Sequence, residues 1–91
     1  MKWILTQRDV LINVESIGTV HVLKRRNLKE THRYAVVADL NYFDDERDYI
    51  YLTNDFCIEE NADDVFKQVI SWLVNDKSSD LLEMDRVVNE W

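Results

Sequence analysis

Two histidines, one cysteine and a run of carboxylates are the side chains in this sequence with the means to do chemistry. His21 alternates with Val20 and Val22, which puts it on the opposite side of a strand, and His32 sits in a basic stretch. Neither has a serine or cysteine nucleophile at a recognisable spacing. Cys57 lies between Phe56 and Ile58 and just before Glu59 and Glu60. Carboxylates raise a thiol's pKa, whereas a reactive thiolate wants positive surroundings, so a packed, unreactive cysteine is expected. The segment 39–49 offers Asp39, Asp44, Asp45, Glu46 and Asp48. A calcium loop needs alternating oxygen ligands and a glycine at its sharp turn, and this run has neither. Paired carboxylates also serve glycoside hydrolysis, but that chemistry needs a cleft that a chain of 91 residues struggles to build. An exposed acidic turn is the expectation. No Cys/His spacing suggests a metal and no motif suggests a cofactor. The chain reads as a non-enzyme.

Charge is the stronger signal. Residues 21–34 hold five of the eleven Lys and Arg, Lys24, Arg25, Arg26, Lys29 and Arg33, in a protein of net charge −7. Residues 1–38 carry seven basic and three acidic side chains (+4), while residues 39–91 carry four and fifteen (−11). Such asymmetry bears on association more than on fold. A mobile basic loop reaches phosphates and gives sequence-independent affinity. Here few aromatics accompany it to stack bases, and the acidic remainder repels nucleic acid. The basic loop is therefore expected to orient the chain toward an acidic protein surface, or to be a solvated tip.

These side chains need elements to hold them. Ninety-one residues make one small domain, and the 46% hydrophobic content argues against disorder. No apolar run approaches a membrane span, and the one at the N-terminus is too short for a signal-peptide core. A single cysteine excludes an intrachain disulfide and suggests a cytoplasmic protein.

With one glycine and no proline, turns fall to Asn, Asp and Ser, at Asp9, Ser16-Ile17-Gly18, Asn27 and Asp44-Asp45. Between them apolar residues alternate with period two, as half-buried strands require. Trp3 pairs with Leu5; Val10, Ile12 and Val14 share a face; so do Val20 and Val22. Tyr34, Val36, Ala38 and Leu40 oppose Ala35 and Val37, so this strand is apolar on both sides and belongs mid-sheet. Ile50 and Leu52 oppose Tyr49 and Tyr51. From about Asn61 to Asn75 the period becomes helical, with Ala62, Val65, Phe66, Val69, Ile70 and Leu73 on one stripe. A second, shorter helix is expected from Asp80, its stripe formed by Leu81, Met84, Val88 and Trp91. The fold class is α+β: an antiparallel β-meander of four or five strands packed against a C-terminal helix, plus a short terminal helix. Residues 1–77 form the domain and 78–91 an appended amphipathic helix.

The opening "KWILTQRDVLINVESI" resembles a pattern found in small, uncharacterised proteins of Gram-positive bacteria and their phages: W-I-x-[ST]-Q, a gap, then L-[IV]-N-x-x-x-I. Trp3, Ile4, Thr6, Gln7, Leu11, Ile12, Asn13 and Ile17 fit it. The resemblance implies the same strands followed by a closing helix over residues 2–73, and no catalytic residue.

The terminal stripe points to function. A helix of about 12 residues is marginal alone in water, so this one needs a surface, in its own domain or on another chain. Trp72, on the flank of the main helix stripe, is a candidate part of that surface. The sequence reads as a non-enzymatic interaction module that self-associates, a homodimer held partly by residues 78–91. Deleting them is then expected to leave a folded, less stable chain of lower mass. The alternatives are an acidic inhibitor or immunity-type protein with a basic partner, and a weak nucleic-acid binder.

Overall fold

The computed structural model describes residues 1–26, 32–41, 49–75 and 77–89. The order is β1 (Trp3–Leu5), β2 (Leu11–Asn13), a 3-10 turn (Val14–Ser16), β3 (Ile17–Arg26), β4 (His32–Leu40), β5 (Tyr49–Tyr51), α1 (Glu59–Val74), β6 (Leu81–Glu83) and α2 (Met84–Asn89). The fold is α+β, with a main helix and a short terminal one. Its strands divide between two three-stranded sheets, β2-β1-β6 and β3-β4-β5. The long antiparallel pair β3–β4 runs from Ile17↔Leu40 to Arg26↔His32, with an irregularity between Ile17 and Thr19.

The division between sheets starts at Asn13. Its side-chain oxygen accepts the Glu15 amide (3.0 Å), and its carbonyl accepts the Ser16 hydroxyl (2.7 Å), so the chain turns instead of extending. Val14, expected in a strand beside Ile12, sits in that turn and still packs against the core. The β1–β2 turn is built on Thr6. Its buried hydroxyl accepts the amides of Arg8 (3.2 Å) and Val10 (3.1 Å), while Asp9 takes the left-handed conformation that short polar side chains tolerate (φ 61°).

The main helix begins at Glu59, two residues before the expected Asn61, and Ile58 at its N-cap gives no side-chain cap bond. Glu59 and Glu60 lie instead in the first turn, where carboxylates complement the positive helix end. Val65, Val69 and Ala62 are fully buried, Phe66 and Leu73 are half-buried against the core, and Ile70 is half-buried. That core also takes Ile4, Ile12, Val36, Ala38, Leu52, Met84 and Val87.

The other end of α1 is closed by residues far away in sequence. The Lys2 ammonium donates to the carbonyls of Trp72 (2.9 Å) and Asn75 (2.8 Å) and to the Ser78 hydroxyl (2.7 Å). The Ser78 hydroxyl lies 2.9 Å and 2.7 Å from the same two carbonyls, which share its single proton. A cation here satisfies orphan carbonyls and complements the negative helix end. Lys2→Met keeps much of the stem's packing but removes the charge. It is expected to lower stability by about 1–2 kcal/mol in urea unfolding, and an unchanged midpoint would show that Ser78 suffices.

One sequence expectation needs correcting. Residues 81–83 are a strand, not the first turn of a helix: β6 runs parallel to β1, with Trp3↔Leu81, Ile4↔Leu82 and Leu5↔Glu83. Helix α2 is thereby confined to Met84–Asn89. The physical reason is the open edge of β1, whose backbone groups need partners that a helix at 81–83 would not supply.

Candidate interaction surfaces

The terminal segment folds onto its own chain. Met84 is fully buried, Val87 is 9% exposed, and Leu82 and Val88 pack half-buried against the core. Trp72, expected on a flank, is 8% exposed, and its indole N–H donates to the Ser79 carbonyl (2.9 Å). Trp72 and Met84 are therefore core residues, closed to a partner in the folded chain. Leu81 is the exposed member of the stripe, at 42%. Trp91 lies outside the described residues.

The basic residues are arranged by the β3–β4 ladder, which pairs Lys24 with Tyr34, Arg25 with Arg33 and Arg26 with His32. Lys29 lies outside the described residues, as do Asp44, Asp45, Glu46 and Asp48. Arg25 and Arg33 are like charges directly opposite, and each is drawn to a different neighbour. The Arg25 guanidinium binds Asp55 and lies 5.1 Å from the centre of the Tyr51 ring. Its hydrogen bond to Asp55 raises its pKa further. The Arg33 guanidinium donates to the Cys57 sulfur (3.3 Å). Cys57 is exposed, not packed as expected, because it precedes α1 outside the buried stripe.

Sequence reasoning missed Arg8, which reaches the same tyrosine with its guanidinium 4.2 Å from the ring centre. Tyr49 lies beside it, 5.6 Å between ring centres. Burial, aided by a hydrogen bond with Tyr49, pushes the Tyr51 phenol above its ordinary pKa, and Arg25 opposes this. The alternation that set Tyr49 and Tyr51 against Ile50 and Leu52 was the available signal. Nothing in it indicated that a residue of the β1–β2 turn would lie over Tyr51.

This Tyr–Arg face is the side of the β3-β4-β5 sheet that carries Ala35 and Val37, opposite Val36 and Ala38 in the core. At one end Asp39 accepts the Thr19 hydroxyl (2.7 Å) and stands 3.6 Å from His21. Two groups this exposed (43% and 45%) form a solvated pair. Among the described residues no three His, Cys, Asp or Glu side chains converge on a metal position.

The third feature is the edge of β3. Among the described residues β3 pairs with β4 alone. Beside it, Val14, Ile17, Val20, Ile70 and Leu73 line an open groove of about 250 Å³ between β3 and α1. Gly18 belongs to the same wall, where a Cβ would come 2.7 Å from the Asn41 side-chain oxygen. Asn41 clasps this corner: its amide donates to Ser16 (2.8 Å), and its side chain donates to the carbonyls of Glu15 (3.1 Å) and Ile17 (3.4 Å). The only glycine of the chain thus marks a close approach.

No family model matches this chain, and no curated protein or solved structure is significantly similar to it, so its geometry must carry the functional reading.

Proposed function

We propose that this chain is a non-enzymatic, cytoplasmic protein-interaction module that self-associates. The observation that carries the proposal is the apolar groove beside β3, where five half-buried apolar side chains line a trough next to a strand that, among the described residues, is paired on one side. Covering half-buried apolar surface is favourable, and such surface beside an open strand edge suits protein association. The Tyr–Arg face adds a second surface rich in residue types that dominate interface energetics.

The nucleic-acid alternative loses support from the same geometry. Arg25 is neutralised by Asp55, and the Tyr51 ring on which a base would stack carries two guanidinium groups. The inhibitor alternative keeps one observation in its favour: Glu59, Glu60 and Asp64 are exposed along the first turns of α1. It predicts a monomer that associates with a basic protein in a salt-sensitive way.

Sedimentation equilibrium of the full chain over rising concentration tests the proposal. The mass is expected to climb from 10.9 kDa toward a dimer. A monomer at high micromolar concentration would overturn self-association and promote the inhibitor.

A further inference from the structure

We infer that two copies join edge to edge through β3, antiparallel about a twofold axis at His21, to make one six-stranded sheet. The inference rests on the self-association proposed above and specifies its geometry. Strand β3 spans ten residues and pairs with β4 alone among the described residues. Its free edge presents a row of backbone donors and acceptors, the usual template for another strand.

Side chains select the occupant and the register. The bulge between Ile17 and Thr19 limits regular pairing at one end, and Lys24, Arg25 and Arg26 limit it at the other. A dyad at His21 places Thr19 opposite the mate's Leu23 and Val20 opposite its Val22. Every directly opposed pair in this stretch is then free of lysine and arginine. On the groove side the pairing is valine against valine, two β-branched residues that pack well across strands. Moving the dyad by one residue, to Val22, would lay Lys24 against the mate's Val20 and press an ammonium group into the apolar groove.

The twofold axis stands perpendicular to the joined sheet, so both α1 helices fall on the same face. The two grooves, each walled by Ile70 and Leu73, then flank the dyad and shield one another. At the two ends, Arg26 of each copy runs level with the mate's Ser16, beside its exposed Glu15. A basic residue of one chain thereby meets acid in the other, and moving the dyad to Val22, which would bring Arg26 level with the mate's Gly18, breaks that match. Positive charge gathered on one strand end of an acidic protein is what this arrangement requires.

Disulfide trapping tests the register in the full chain with Cys57→Ser. Residues opposed across an antiparallel pair have Cα atoms about 4.5–5.5 Å apart, within the range a disulfide spans. His21→Cys is expected to cross-link as a homodimer on mild oxidation. Thr19→Cys alone should not, since the two copies of residue 19 lie four steps apart, roughly 13 Å. A mixture of Thr19→Cys and Leu23→Cys chains should cross-link to each other, which keeps the test decisive if the His21 variant folds poorly. In sedimentation Glu15→Lys should weaken the dimer about tenfold, as the pair occurs twice, and adding Arg26→Glu should restore it. A sedimenting dimer in which neither His21→Cys nor the mixed pair cross-links would overturn the edge pairing about His21 and leave self-association standing. A chain that stays monomeric would overturn both and leave the edge to a strand of another protein.

Discussion

Deleting residues 78–91 is expected to unfold the chain, not to leave a weaker folded form of it. The deletion removes Met84, Val87, Leu82 and Val88 from the core, two of them buried and two half-buried. At about 1.5–3 kcal/mol per fully buried side chain, and about half that for a half-buried one, the loss is roughly 5–9 kcal/mol. The total stability of a small domain is about 5–15 kcal/mol. Further losses accompany it. The backbone of β1 gives up its pairing with β6, fully buried Ile4 is uncovered, and Lys2 and Trp72 lose Ser78 and Ser79. Far-UV circular dichroism with a urea titration reads the result: no cooperative transition for the deletion. Within the full chain, Met84→Ala is expected to cost about 2–5 kcal/mol. A deletion variant that keeps a cooperative transition near the original midpoint would mean that β6 and α2 are appended to a domain stable without them.

The sequence reading of that segment found the terminal helix but missed β6, because the contact that makes the strand is long-range. Three residues show no period, and a strand of three is specified by the edge it joins, here β1 from the opposite end of the chain. The Leu81, Met84, Val88 spacing looked helical, and the last two do lie in α2 or at its start. The same blindness merged the two sheets into one meander: alternation reports which face a residue takes, not which strand lies next to it. Where local pattern and tertiary environment agreed, the reading was sound. Strand β4, apolar on both sides, does lie mid-sheet, with Val36 and Ala38 in the core and Ala35 and Val37 buried on the other face. The α1 stripe was legible from its period, although Ala62, Val65 and Val69, not Phe66, are its most buried positions. Of the candidate surfaces, the basic residues were visible as charge. The apolar groove was not, since it joins Val14 and Val20 to Ile70 and Leu73 across the fold.

Trp72→Ala is expected to cost about 3–5 kcal/mol, enough to bring the domain close to its unfolding threshold. Two effects combine. The indole is 8% exposed and fills the corner where α1, β6 and the start of β1 meet, so truncation leaves a cavity that rigid neighbours only partly close. Its N–H also holds the Ser79 carbonyl, and its ring lies 4.8 Å from the Lys2 ammonium, a partly desolvated cation–π contact. Trp72→Phe separates the two effects. It keeps most of the apolar volume but leaves the Ser79 carbonyl without its donor, and should cost about 1–3 kcal/mol. Lys2→Met in the Trp72→Phe background should then cost less than it does alone, because residues sharing one network are not additive. Urea unfolding of the four proteins measures this directly. If Trp72→Ala lost less than about 1 kcal/mol, the indole would have to lie at the surface, as its place on the flank of the helical stripe first suggested. It would then rejoin the residues open to a partner, and the closed corner that ties the two ends of the chain to α1 would be the wrong picture.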